Sequence, residues 1–105
     1  MAIRKILDEE LQNSLRMEDA YSRQLEKLPR GSLSRRVRNG HEYFYIVYRE
    51  NGKVCLDYVG KEVSDQMRQQ YAKAKAKRAQ LRKIRSEVRG QIRFIERALR
   101  AKQSA

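Results

Sequence analysis

Seven arginines recur in the last third of the chain, Arg78, Arg82, Arg85, Arg89, Arg93, Arg97 and Arg100, in steps of three and four. At about 100° per residue, this spacing keeps them on one stripe of an α-helix. Lys73, Lys75, Lys77 and Lys83 widen the stripe. The chemistry that suits such a ridge is charge neutralisation along a polyanion. Each phosphate it meets releases counterions, which gives salt-sensitive and largely sequence-independent affinity. The competing use is a solvated helix face that only keeps the protein soluble.

A second group combines Tyr43, Tyr45 and Tyr58 with Arg36, Arg38 and Arg49. Tyrosine rings on a sheet offer stacking surfaces to unpaired bases, with arginines holding the backbone beside them. A three-stranded sheet can also enter the major groove and place arginines against guanine edges. The competing use is structural, because tyrosines often pack against a helix with their hydroxyls at the rim.

Other chemistry is nearly excluded by what is missing. Cys55 is the only cysteine and His41 the only histidine. An internal disulfide, a multi-cysteine zinc site and the usual histidine-based triads therefore have no ligands or bases to use. Cys55 reads as a small buried hydrophobe and His41 as an exposed residue beside a turn. Asp57 stands among apolar neighbours and is expected to pair with Arg35 or to cap a helix. No nucleophile–base or metal-ligand constellation is present, so neither catalysis, nor a metal, nor a cofactor is expected.

These residues need elements to position them. Ile3, Leu7, Leu11, Ser14, Met17, Tyr21, Leu25 and Leu28 recur at helical spacing, and predict a helix over 3–28. Pro29 disfavours helix at Leu28, and Gly31-Ser32 completes the break. The β-rich run 43–48 is bracketed by Asn39-Gly40 and Asn51-Gly52. Asn-Gly is the favoured pair for a two-residue type I′ hairpin, since both residues need positive φ. Strands near 33–38, 41–50 and 53–59 follow, with Arg38 facing His41 and Glu50 facing Lys53.

That register sorts the side chains into two faces. Leu33, Val37, Phe44, Ile46, Tyr48, Cys55 and Val59 share one with Arg35 and Asp57, and form the better core. Ser34, Arg36, Arg38, Tyr43, Tyr45, Val47, Arg49, Val54, Leu56 and Tyr58 share the other. Ser64 then caps a helix from about 64 to about 101. Its apolar line is Met67, Tyr71, Ala74, Leu81, Ile84, Val88, Ile92, Ile95 and Leu99, about a quarter-turn from the arginines. Gly90 is expected to allow a close helix contact or a bend, and the tail 102–105 to fray.

The expected fold is α+β in the order α-β-β-β-α, with two long helices pairing as an antiparallel hairpin. One domain of 105 residues is expected, comprising an N-terminal helix (1–28), a turn and sheet (29–62) and a basic C-terminal helix with its tail (63–105). Net charge is −1 in the first of these segments, +3 in the second and +10 in the third, for a total of +12. A field so concentrated attracts nucleic acid first, then anionic lipid and acidic protein surfaces. No run is apolar enough to span a membrane, and the opening residues lack the apolar core of a signal peptide. A prokaryotic cytosolic or nucleoid location is expected. A second copy of the chain is expected to cover apolar helix surface that the first helix leaves open, giving a homodimer.

Four short stretches carry a family likeness: Leu28-Pro29-Arg30-Gly31-Ser32-Leu33, Tyr43-Phe44-Tyr45-Ile46, Asn51-Gly52-Lys53-Val54 and Tyr58-Val59-Gly60-Lys61. The region 25–62 resembles a family of small uncharacterised prokaryotic proteins with L-P-x-G-S, Y-Y-Y and Y-[LV]-G-K motifs between charged helices. That family is similar to genes of phages and other mobile elements. Its cysteine-bearing versions place several cysteines before the tyrosine run, and this chain has none there. The hairpin pair is also similar to the three-stranded arm-binding domain of phage-type integrases, which implies DNA recognition through the sheet.

Two functions are therefore expected in turn. The first is a non-enzymatic nucleic-acid accessory protein, binding DNA or RNA through Arg78, Arg82, Arg85, Arg89 and Arg93 with contacts from Arg36, Arg38, Arg49, Tyr43 and Tyr45. The second is a protein-interaction inhibitor of a host ribonucleoprotein or toxin, such as an anti-CRISPR or antitoxin.

Overall fold

The structure is a computed structural model that describes residues 2–104, with side chains to residue 101. Its elements are α1 (Ala2–Lys27), β1 (Ser32–Arg38), β2 (His41–Glu50), β3 (Lys53–Gly60) and α2 (Asp65–Ser104). The order is the expected α-β-β-β-α. Helix continues through 102–104, where a frayed tail was expected, and Ala105 lies outside the described residues. The chain forms two compact units, one of residues 1–27 with 78–105 and one of residues 28–77. The division falls within α2.

In the second unit the strands lie in the order β1-β2-β3, all antiparallel. Both Asn-Gly pairs take positive φ at both residues: 52° and 76° at Asn39 and Gly40, 52° and 78° at Asn51 and Gly52. This is the left-handed geometry that a two-residue hairpin demands. The register follows from the turns: Arg38 opposes His41, Arg36 opposes Tyr43, Glu50 opposes Lys53 and Tyr45 opposes Tyr58. One irregularity occurs beyond this last pair, where Phe44 opposes Gly60 and Val59 becomes the extra residue.

The core face of the sheet is the Phe44 face. Phe44 is 4% exposed, and the Arg68 guanidinium lies 5.2 Å above its ring. Ser32 and Leu33 of β1 line a shallow groove with Arg68, Tyr71, Ala72 and Lys75 of α2. Ser64 accepts a hydrogen bond from the Met67 amide at 3.1 Å, and so caps α2 as its residue type predicts.

Three expectations for this face need correction. Val37 is 58% exposed, because it stands at the turn end of an edge strand. Cys55 is half-buried and not a buried hydrophobe. Asp57 does not meet Arg35: Arg35 pairs with Glu42 at 2.8 Å, and Asp57 accepts from the Tyr48 hydroxyl at 3.3 Å. The reason is distance across the sheet. Arg35 and Asp57 sit on outer strands with β2 between them, about 9–10 Å apart across the sheet and offset by two residues along it, while Glu42 and Tyr48 are on the adjacent strand.

The connector from α1 is strapped to the same face. Arg30 donates to the Arg49 carbonyl at 3.0 Å, lies 4.5 Å above the Tyr48 ring and reaches Glu50 at 3.8 Å. Gly31 has φ +82°, and a Cβ there would meet the Val47 carbonyl oxygen at 2.5 Å. Only glycine fits both conditions.

In the first unit α1 and the 78–104 stretch of α2 pair as an antiparallel hairpin. Direction is set by two contacts, Ser22 with Arg85 and Glu18 with Arg89. Leu81, Val88, Ile92 and Ile95 are buried here, and α1 contributes the buried Ser14. Ile3 and Met17, expected on the core line, are exposed. At about 100° per residue Met17 falls to the side of the Leu7–Leu11–Ser14–Glu18 line, while Ile3 keeps close to that line but lies in the first turn of α1. Gly90 allows neither a tight contact nor a break, since a Cβ there would come no nearer than 3.9 Å to another group and the helix runs on unbroken.

Candidate functional site

Two basic surfaces emerge, one in each unit. In the first unit the arginine stripe lies beside the buried line of α2. Arg82 and Arg93 are exposed, and among the described residues neither has a carboxylate partner. Arg89 is tied to Glu18 by a 2.9 Å charge-assisted hydrogen bond, with its side chain still 47% exposed. Arg85 is half-buried and donates to the Ser22 hydroxyl at 3.3 Å. Arg97 turns back onto the Arg93 carbonyl at 3.4 Å. Arg78 is half-buried and lines a cleft with Arg82, Arg85, Ser22, Leu25 and Glu26. The stripe is thus partly consumed in holding α1, through Arg85 and Arg89, while Arg82 and Arg93 are exposed with no carboxylate partner among the described residues.

In the second unit the face opposite Phe44 carries Tyr43, Tyr45 and Tyr58. The Tyr45 and Tyr58 rings lie 5.4 Å apart and tilted by 58°, and Tyr43 and Tyr58 lie 6.4 Å apart. Both separations lie in the range of interacting aromatic pairs, so the three rings form one tilted cluster. Tyr58 is 57% exposed, Leu56 and Val54 are exposed beside it, and Tyr43 and Tyr45 are half-buried. Arg36, Arg38 and Arg49 are exposed. The cluster is therefore an open surface and not a packing layer beneath a helix.

Charge divides across the sheet. All three acidic residues of the strands, Glu42, Glu50 and Asp57, lie on the Phe44 face, and each has a partner there. The tyrosine face carries three arginines and His41 with no carboxylate, by the alternation of side chains along each strand. On the Phe44 face, burial first and the Asp57 carboxylate second raise the Tyr48 hydroxyl above its ordinary value of 10.0.

Sequence reasoning placed Arg36, Arg38, Arg49, Tyr43 and Tyr45 on one face, and the structure brings them together there. It missed the internal roles of Arg30 and Glu18, and the exposure of Phe94, which is 68%. The phase of α2 held a signal for Phe94, which at about 100° per residue lies well round the helix from the buried Ile92 and Ile95. Phe94 flanks a mainly apolar groove with Leu7, Ser14, Gly90 and Ile95, which Glu10 and Gln91 also line. Among the described residues no three His, Cys, Asp or Glu side chains converge as metal ligands. No helix described is long and apolar enough to cross a membrane.

These features define a small α+β protein with a three-stranded meander between two long helices in the chain, and a basic surface in each unit. The chain belongs to the family described as a domain of unknown function, DUF6788, whose family model matches residues 3–69. The matched stretch includes the whole sheet and ends before Arg78. No curated protein and no solved structure matches the chain.

Proposed function

We propose that this protein is a small non-enzymatic nucleic-acid-binding accessory protein of a phage or mobile element, working in the prokaryotic cytosol or nucleoid. One observation carries the nucleic-acid part of the reading. The segment with the greatest excess of charge buries its apolar line at Leu81, Val88, Ile92 and Ile95 while Arg82 and Arg93 stay exposed without a carboxylate partner among the described residues. Phosphates neutralised by such a flank supply affinity with little dependence on sequence.

The test is the salt dependence of binding. Replacing Arg82 and Arg93 together with Gln should weaken binding to duplex DNA and lower the slope of log affinity against log salt by about 2, at roughly 0.9 per phosphate contact. An unchanged slope would remove the ridge from the interface.

A second reading, a protein-interaction inhibitor of anti-CRISPR or antitoxin type, is favoured by the exposed Phe94 beside its apolar groove. The two readings separate in one capture experiment from the native cell. Recovery abolished by nuclease and by Arg82→Gln supports the first. A stoichiometric protein partner that survives nuclease and is lost with Phe94→Asp supports the second.

A further inference from the structure

We infer that the Tyr43–Tyr45–Tyr58 face of the sheet is a stacking platform for unpaired bases, so that the nucleic acid this protein prefers is single-stranded. The inference rests on the nucleic-acid reading above and adds to it the form of strand that is recognised.

Four observations converge on it. The three rings form one cluster at 5.4 and 6.4 Å, and Tyr58 keeps more than half of its surface open. Val54 and Leu56 extend the same strip with exposed apolar side chains, and a solvated face has no use for them. Arg36 directly opposes Tyr43, and Arg38 follows two residues on, about 6.7 Å along β1. Finally, the sheet's carboxylates are confined to the other face, so nothing here repels a phosphate. The strip of rings is thus bordered by a cationic rank on β1, with Arg49 on β2 near the opposite end.

The choice of single strand over duplex follows from what each presents. A duplex offers phosphates and base edges, which are met by hydrogen-bonding side chains. A single strand also offers base faces, which are apolar and match aromatic rings. The centre of this face, Tyr43, Tyr45, Val47, Leu56 and Tyr58, holds rings and aliphatic groups, while its guanidinium groups stand toward the margins. Because every base has a π-face, the platform tolerates sequence and accepts DNA or RNA.

The experiment uses the full chain with a labelled oligothymidylate of about twelve nucleotides, within the usual site size for such surfaces, and a blunt duplex of the same length. The chain has six tyrosines and no tryptophan, so its intrinsic fluorescence is tyrosine emission, and Tyr43, Tyr45 and Tyr58 are half of the emitters. The single strand should bind at least about ten-fold more tightly than the duplex and quench tyrosine emission. Tyr58→Ala should lose about ten-fold of single-strand affinity, the scale of one base–aromatic stack, and leave duplex affinity unchanged. Tyr58→Phe should retain binding, since stacking needs the ring and not the hydroxyl. Equal affinity for the two forms, with Tyr58→Ala silent while the Arg82/Arg93 double variant weakens both, overturns the platform and leaves the ridge reading in place. Loss of single-strand binding in Tyr58→Phe as well as Tyr58→Ala, with unchanged thermal melting, also overturns it, by assigning the hydroxyl. Absence of binding to either oligonucleotide overturns both readings.

Discussion

The Arg89 guanidinium stands 2.9 Å from the Glu18 carboxylate, so one member of the cationic stripe holds the two helices together and not an external ligand. Both side chains remain partly exposed, and an ion pair in that setting stabilises by at most about 1 kcal/mol. Glu18→Gln should therefore cost less than about 1 kcal/mol in urea unfolding. It should also strengthen binding to nucleic acid, because it removes a negative charge and releases Arg89. Unchanged affinity in an anisotropy titration at low salt would show that Arg89 lies outside the interface.

Adjacent residues of α2 should divide stability from binding. Leu81 is 3% exposed, whereas Arg82 points away from the packed line. Leu81→Ala should lower unfolding stability by about 2–5 kcal/mol, through lost burial and the cavity left behind. Arg82→Gln should leave the urea midpoint almost unmoved and weaken nucleic-acid binding. The pair of variants separates folding from function in one turn of helix.

Gly31 and Gly40 both have positive φ, but only Gly31 is hemmed in, with the Val47 carbonyl in the path of any Cβ. Gly40→Ala has open space and should cost only the left-handed backbone penalty, about 1–2 kcal/mol. Gly31→Ala adds a backbone clash and should cost more, on the order of 3 kcal/mol. Urea melts of both variants check the ordering. Equal losses would show that the connector shifts freely over the sheet.

Tyr48 links stability to alkaline pH. Its hydroxyl donates to Asp57, and its raised pKa means that the folded chain holds this proton at pH values where the unfolded chain has begun to release it. The stabilising contribution is complete below pH 10.0, the ordinary value, and is lost as pH rises through the higher folded one. Tyr48→Phe should flatten that decline, measured as urea midpoints on either side of pH 10.0. Tyrosinate absorbance should show one fewer late-titrating ring.

Much of the sheet was legible because its information is local. Two Asn-Gly pairs set two turns, the turns set the register, and strand alternation then placed Tyr43, Tyr45 and Arg36 on a common face. The ridge was less legible. Periodicity aligned Arg78, Arg82, Arg85, Arg89 and Arg93, but it carries no information about which of them a neighbouring helix engages. Glu18 and Ser22 claim Arg89 and Arg85 across more than sixty residues of chain, and no spacing rule reaches that far. The Arg35–Asp57 expectation failed for a related reason, since two residues on one face are neighbours only when their strands are adjacent.

By itself the sequence determined the element order, the hairpin register, the burial phase of α2 and the concentration of positive charge in the final third of the chain. Each is a property of bonded or near-bonded residues, expressed through backbone preference and helical or strand period. Tertiary structure alone decided that the tyrosine face stays open, that Arg30 straps the connector over Tyr48, and that Arg85 and Arg89 are engaged by α1 while Arg82 and Arg93 are not. Those outcomes depend on which surfaces compete for the same neighbour, a competition settled only when distant segments meet.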